Sequence, residues 1–445
     1  MIFKRYQARI AELLRLAIKH DGLRKYGANT IWLFAEKFFR ILLGFTVGIY
    51  VARQLGPAQY GLLNYALSYV GIFSVLMNLG LDSIVVRELV KTPEKRDQLL
   101  GSTFMLKLAG FGVMLISIII SIALSDKDPQ SNIIIAIIAV GYLFQTFQVL
   151  DFYYQAEVKG KYVAISQTTA LLIVSTFRLY FAFKLYPLAY FAALESLFML
   201  ISFSMYAIFY MKCGNGLFSW KFKTSTAKML LRESWPLLLS SAAGVIYMRI
   251  DQVMIKQMLG DAEVGYYAVA VRLVELWYFL PMIICSSLFP SIIRARNISE
   301  AHYSNRLKML FSLMFWMGLI VSIGMCLAGK FIVTVLYGNE YAMSFNVLVI
   351  YAWNIIFCAM GVACGKWLLA EGLQMCSLYV ALIGMVVNVI CNFIFINIWG
   401  GTGAAFASLI THLFTGYFAY FIIGRCRRLF FLYSKAIIYP WNLKQ

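Results

Sequence analysis

Six charged residues stand deep inside long apolar runs, where a chain has least reason to keep them: Lys37, Arg40, Arg249, Asp251, Arg272 and Glu275. A charge at bilayer depth is costly unless it faces protein or water, so such groups mark either a polar path or structural ion pairs between helices. Lys37 and Arg40 are three apart and share a helical face, and Glu36 reaches Arg40 at a spacing of four. Counting about 1.5 Å per residue from about Asn29 places Lys37 about 12 Å and Arg40 about 16 Å deep, beyond easy snorkelling. Arg272 and Glu275 are three apart and able to pair with each other. Arginine keeps its proton and offers two parallel donors, so a group of such cations suits the reception of an oxyanion. Asp251 and Glu275 are placed to exchange a proton or bind Na⁺, or simply to balance nearby arginines. Arg178 and Glu195 lie shallower, and Arg178 can snorkel to the surface.

The elements that position these groups follow from composition. The 445 residues are 62% hydrophobic and only 13% charged, about half the ~25% charged content of soluble domains. This excludes a soluble globular domain, a disordered chain and a disulfide scaffold, because no single core absorbs so much apolar surface. Continuous apolar stretches, with no alternation of polar and apolar residues, also exclude an outer-membrane barrel. With about 20 apolar residues per crossing, twelve spans are predicted, at about 30–52, 60–86, 103–124, 132–150, 163–183, 188–211, 236–258, 266–290, 309–329, 345–367, 377–398 and 403–424. The fold class is therefore an all-α polytopic membrane protein. Of 39 lysines and arginines, 29 fall in one alternate set of loops and termini and only four, Arg53, Lys127, Lys184 and Lys330, in the other. The positive-inside rule places the basic set, with both termini, in the cytoplasm.

Residues 1–28 read as a basic amphipathic segment on the cytoplasmic leaflet, 29–211 as a six-helix bundle, 212–234 as a basic linker, 235–424 as a second six-helix bundle and 425–445 as a basic tail. The two bundles share a short pattern. Leu55-Gly56-Pro57-Ala58-Gln59-Tyr60-Gly61 follows span one, and Leu259-Gly260-Asp261-Ala262-Glu263-Val264-Gly265 follows span seven, 204 residues later. Gly56, Gly61, Gly260 and Gly265 are expected to permit tight reversals between antiparallel helices. Because six is even, both halves enter from the same side, which predicts a pseudo-twofold axis along the membrane normal and a central cavity.

Several motifs resemble a known family. Tyr247-Met248-Arg249-Ile250-Asp251-Gln252-Val253-Met254-Ile255, the Leu259-Gly260 loop and Val264-Gly265-Tyr266-Tyr267-Ala268 resemble the seventh span and following loop of bacterial O-antigen (Wzx-type) repeat-unit flippases. These are the polysaccharide transporter branch of the multidrug/oligosaccharidyl-lipid/polysaccharide exporter superfamily. Arg53-Gln54-Leu55-Gly56, Leu288-Phe289-Pro290, Leu336-Tyr337-Gly338 with Tyr341, and Gly403-Ala404-Ala405 match in the same order. The resemblance implies a flippase of the bacterial inner membrane that moves an undecaprenyl-diphosphate-linked oligosaccharide to the periplasmic leaflet without breaking a bond, by alternating access. It points to membrane lipids, a polysaccharide polymerase and a chain-length regulator as partners, with H⁺ or Na⁺ as a coupling ion and no cofactor. Lys37, Arg40, Arg249 and Arg272 would then line a cationic cavity for the diphosphate, with structural ion pairing as the competing role.

Other signals point to less. The eight cysteines form no C-x-x-C pair, His412 alone among three histidines lies in a span, and no Walker sequence occurs. Nucleic acid is not an expected partner, since the basic residues segregate to one side. Tyr65, Tyr69, Tyr247, Tyr266, Tyr267, Trp277 and Tyr278 are candidates to stack on sugars. A multidrug antiporter of the same superfamily would share the architecture but favour an acidic cavity. A membrane-embedded polymerase or glycosyltransferase would need a long extracytoplasmic loop, and none is present.

Overall fold

The computed structural model describes residues 21–124 and 128–438, and every regular element among them is a helix. The first half comprises α1 (Asp21–Phe73), α2 (Val75–Asn78), α3 (Asp82–Lys91), α4 (Arg96–Ala123), α5 (Pro129–Gln145), α6 (Val149–Ala156), α7 (Gly160–Phe183) and α8 (Leu188–Lys212). The second comprises α9 (Thr224–Leu259), α10 (Asp261–Glu275), α11 (Phe279–Arg296), α12 (Glu300–Tyr337), α13 (Ser344–Tyr351), α14 (Asn354–Ala370), α15 (Gln374–Trp399), α16 (Gly401–Leu413), α17 (Ala419–Ile422) and α18 (Arg427–Ile438).

Ten helical runs among the described residues are long and apolar enough to cross a membrane, and the pair α13 and α14, bent by 42°, makes an eleventh. The first run, Trp32–Lys91, is two crossings in one: Gly56 sits at φ 69, ψ 170 and breaks the helix, with Pro57 opening the next. Separating the two at Gly56 recovers the twelve expected spans. The amphipathic segment expected at 1–28 lies mostly outside the described residues. At the other terminus α18 buries Leu429, Leu432, Tyr433 and Ala436 and exposes Phe431 and Lys435.

Each half bends its second and fourth spans at corresponding places. In the second span the helix stops at Phe73, resumes for one turn and ends on Leu79 (φ 54) and Gly80 (φ 64), a left-handed termination that satisfies the last carbonyls. Its counterpart bends through a 3₁₀ turn at Leu276–Tyr278. The fourth span carries a 3₁₀ turn at Thr146–Gln148, and its counterpart breaks between Tyr351 and Asn354.

One apolar core contains side chains from both halves, among them Val47, Val51, Tyr60 and Tyr65 with Val253, Val264, Tyr267 and Tyr341. It lies at the end away from the basic loops, here called the far end. Towards the basic end the halves keep separate cores: Leu81, Leu99, Tyr154 and Tyr210 in the first, Cys285, Phe311, Trp367 and Tyr433 in the second. Leu230, near the start of α9, joins the first half's core, and Lys221 N–H donates to the Asp97 carbonyl at 3.0 Å, so the linker is strapped to the first half.

Lys107, counted above among the basic loop residues, departs from that expectation. It lies eleven residues into α4, fully buried, donating to Gln148 Oε1 at 3.0 Å and Asn78 Oδ1 at 3.3 Å, with Nζ 5.3 Å from the Phe152 ring centroid. Asn78 and Gln148 sit at the two helix breaks of this half, so the ammonium ties both together. A loop assignment failed because the acceptors come from two other helices.

Candidate functional site

The repeat loops meet each other. A Cβ added to Gly61 would lie 1.8 Å from the Asp261 carbonyl oxygen, and one added to Gly265 would lie 2.1 Å from the Pro57 carbonyl oxygen. Positions 57 and 61 become 261 and 265 on adding the repeat displacement, so the contact is reciprocal about a twofold axis. The four glycines divide their work. Gly56 (φ +69) and Gly260 (φ +100) turn the chain as expected, whereas Gly61 and Gly265 lie within helices and serve close approach instead.

Around this glycine seam the halves are joined by polar contacts. Tyr341 Oη donates to the Ala52 carbonyl at 2.7 Å, and its ring meets those of Tyr60 and Tyr266 edge-on. Lys256 Nζ lies 2.5 Å from Asp261 and 3.4 Å from Asp128 of the first half. Ser68 Oγ donates to Gln252 Oε1 at 2.9 Å. At the basic end Arg87 pairs with Glu233, and Gly80 lies against the backbone of Leu238.

Beneath the seam the intramembrane charges form two groups rather than one. Arg249 and Arg272 both act on the charge of Glu275, and Lys37 and Arg40 act on that of Glu36. Arg40 Nε stands 3.2 Å from Glu36, the spacing of four realised as an ion pair. Lys37, Arg40, Arg249 and Glu275 are exposed. Arg272 departs from the pairing that its spacing allowed: its guanidinium passes over Glu275 and donates to the Gly44 carbonyl of the first half at 2.7 Å. The shallower Arg178 does not simply snorkel, because it pairs with Glu195 across α7 and α8.

Asp251 and Glu275 line one narrow pocket in the second half, with Tyr247, Tyr278, Tyr351 and His412. Asp251 is buried and holds no cation within pairing distance. It accepts from Tyr267 Oη at 2.5 Å, from Asn392 Nδ2 at 2.6 Å and from Ser408 Oγ. Asn392 donates also to Asn388 at 3.0 Å, while its own carbonyl oxygen is buried without a donor. That orphaned acceptor beside a carboxylate is a donor set of hard oxygens. Sequence reading named Asp251 but missed its partners Asn392 and Ser408, which lie 141 and 157 residues away. Of the proposed stacking aromatics, Tyr247 and Tyr278 line the cavity, whereas Tyr65, Tyr69 and Tyr267 are buried in the shared core and unavailable to a sugar.

Comparison with known proteins bears on this arrangement. The profile of the family described as polysaccharide biosynthesis protein matches residues 26–296, more than half of the chain. The chain belongs to that family. The MatE profile also matches, over residues 236–394. The chain is 22% identical over 392 residues to a probable low-salt glycan biosynthesis flippase, Agl15, of Haloferax volcanii, covering 86% of this chain and 80% of that one. It is 20% identical over 395 residues to the capsular polysaccharide biosynthesis protein CapF of Staphylococcus aureus, covering 86% and 95%. A putative O-antigen transporter of Shigella dysenteriae matches at 23% identity over 193 residues, 43% of this chain and 48% of that protein. Among solved structures, an inward-facing multidrug resistance MATE transporter superposes with TM-score 0.69 at 16% identity, covering 89% of this chain and 96% of that one. The lipid II flippase MurJ in an inward closed conformation also reaches 0.69, at 14% identity, covering 92% and 91%. The fold is therefore that of these two-lobed transporters.

Proposed function

We propose that this polysaccharide biosynthesis family member is a flippase that carries an undecaprenyl-diphosphate-linked oligosaccharide of O-antigen or capsule type from the cytoplasmic to the periplasmic leaflet of the bacterial inner membrane. The basic end is then cytoplasmic and the glycine seam periplasmic, consistent with the distribution of Lys and Arg. The observation that carries the reading is the group Arg249, Arg272 and Glu275, which lies below a seam that closes one end of two repeated halves. Cations of fixed protonation lower the barrier to passing a diphosphate through a low-dielectric path, and Arg40 with Lys37 supplies a second such station nearer the basic end. The relatives named for glycan, capsule and O-antigen work favour a saccharide cargo over a drug.

Asp251 is the residue to which we assign ion coupling, because it is a buried carboxylate held only by neutral donors beside an orphaned amide oxygen. Glu275 shares its cavity and is the second candidate. The decisive experiment is deletion of the gene followed by analysis of lipid-linked intermediates. The expected result is loss of surface polysaccharide, with the completed repeat unit retained on the cytoplasmic face. Unaltered surface polysaccharide refutes the reading.

A further inference from the structure

Arg272 is an intramembrane cation of the second half that reaches the first deep in the bilayer. Its guanidinium donates to the Gly44 carbonyl and lies against Gly48, where an added Cβ would stand 2.9 Å from Nη2, 3.1 Å from Cζ and 3.3 Å from Nε. Two glycines one turn apart thus leave a slot in α1 that the planar guanidinium fills. Shifted by the repeat displacement of 204 residues, positions 48 and 272 correspond to 252 and 68, and those residues, Gln252 and Ser68, make the equivalent contact across the axis. The symmetric interface therefore carries a neutral hydrogen bond on one side and a charged donor on the other. The neutral pair is indifferent to what enters the cavity. The charged one is not.

We propose that Arg272 latches the glycine seam and that an oxyanion entering between the halves releases it. Separating the halves at the far end removes Arg272 from Gly44 and strands a guanidinium donor at bilayer depth, which disfavours opening of the empty protein. A phosphate oxygen offers a charge-assisted bond stronger than the one lost, so the loaded protein opens without that penalty. The differential affinity of the ligand for the open state is what shifts the equilibrium. Arg272 is on this account a positioning residue: it couples occupancy to opening and so suppresses idle cycling. This inference rests on the diphosphate cargo proposed above.

The test places nitroxide labels at Ala58 and Ala342, which are exposed on opposite halves beside the seam, in protein lacking its native cysteines and reconstituted in lipid nanodiscs. Farnesyl diphosphate is the probe, and its binding is measured separately by calorimetry. In the wild type the long-distance population should be small and should rise roughly tenfold or more with probe, the effect of one hydrogen bond to a charged group. Arg272→Ala should show the long-distance population without probe. Gly48→Ala, which keeps the arginine but fills its slot, should do the same, and Arg272→Lys should fall between. If both alanine variants stay as closed as wild type, the latch is refuted whether or not the probe binds. If they open but the wild type binds no probe, the diphosphate reading fails and release by the anion fails with it. If the wild type binds the probe and its seam does not move, the cargo reading stands and release by the anion is refuted.

Discussion

The Asn392 amide donates to the Asp251 carboxylate at 2.6 Å across 141 residues of sequence, and among the described residues no lysine or arginine pairs with that carboxylate. The pair ties α15 to α9 at the floor of the second-half cavity. Replacing Asn392 by Leu removes a donor from a buried carboxylate and should lower stability by about 1–3 kcal/mol, read as a lower unfolding temperature in detergent. Asp251→Asn keeps the packing but removes the charge. Transport by that variant in proteoliposomes should no longer respond to imposed Na⁺ or H⁺ gradients, while a wild type indifferent to both gradients defeats the coupling role.

The glycine seam makes an unusually direct prediction. Gly61→Ala and Gly265→Ala each drive a methyl into a backbone carbonyl of the other half. Overpacking of this kind costs about 1–3 kcal/mol, here charged against the seam-closed state. Both variants should lose transport and melt earlier. Gly112→Ala, where an added Cβ meets nothing within 4 Å, should behave as wild type in the same thermal assay. Equal behaviour of all three would contradict the reciprocal contact.

Lys107 tests the first half. Met at this position matches the length of the side chain but strands the acceptors of Asn78 and Gln148, at about 1–3 kcal/mol. Lys107→Glu places a buried carboxylate against both acceptors and should abolish folded protein, seen as loss of the monodisperse peak in size-exclusion chromatography. A Lys107→Glu protein as stable as wild type would show that the helix breaks do not depend on this ammonium.

Transport cations and structural pairs are separable by charge exchange. Arg178 and Glu195 face each other, so Arg178→Glu combined with Glu195→Arg should restore whatever either single variant loses in stability. Arg249 makes no ion pair within 4 Å among the described residues, and Arg249→Ala should lower transport of the lipid-linked sugar by roughly tenfold or more with little change in melting temperature. Arg40→Ala belongs to the same assay. Wild-type rates in folded, inserted Arg40→Ala and Arg249→Ala proteins would remove the cationic path.

Much of the architecture is legible in the sequence because a bilayer leaves few choices: apolar length marks the crossings, Lys and Arg mark a side, and a seven-residue pattern repeated after 204 residues marks the halves. Local spacing also anticipated the Glu36–Arg40 pair. It misled at Arg272, where a spacing of three suggested Glu275, because the competing acceptor is a backbone carbonyl of another helix that no side-chain pattern announces. Lys107 looked like a loop cation for the same reason, its partners being two amides at helix breaks. Gly61 and Gly265 read as turn residues since a sequence does not distinguish a glycine kept for its dihedral freedom from one kept for its missing side chain.

In the glycine seam residue 57 meets 265 while 261 meets 61, which is the pattern two identical six-span polypeptides would make as a homodimer. In a homodimer every substitution strikes both sides of the axis at once, so an arginine on one side would be matched by a second arginine in the equivalent contact. Duplication and fusion into a single chain remove that constraint. They allow Arg at 272 with Ser at 68, and Gly at 48 with Gln at 252, and so convert a symmetric closure into one whose two sides respond differently to charge.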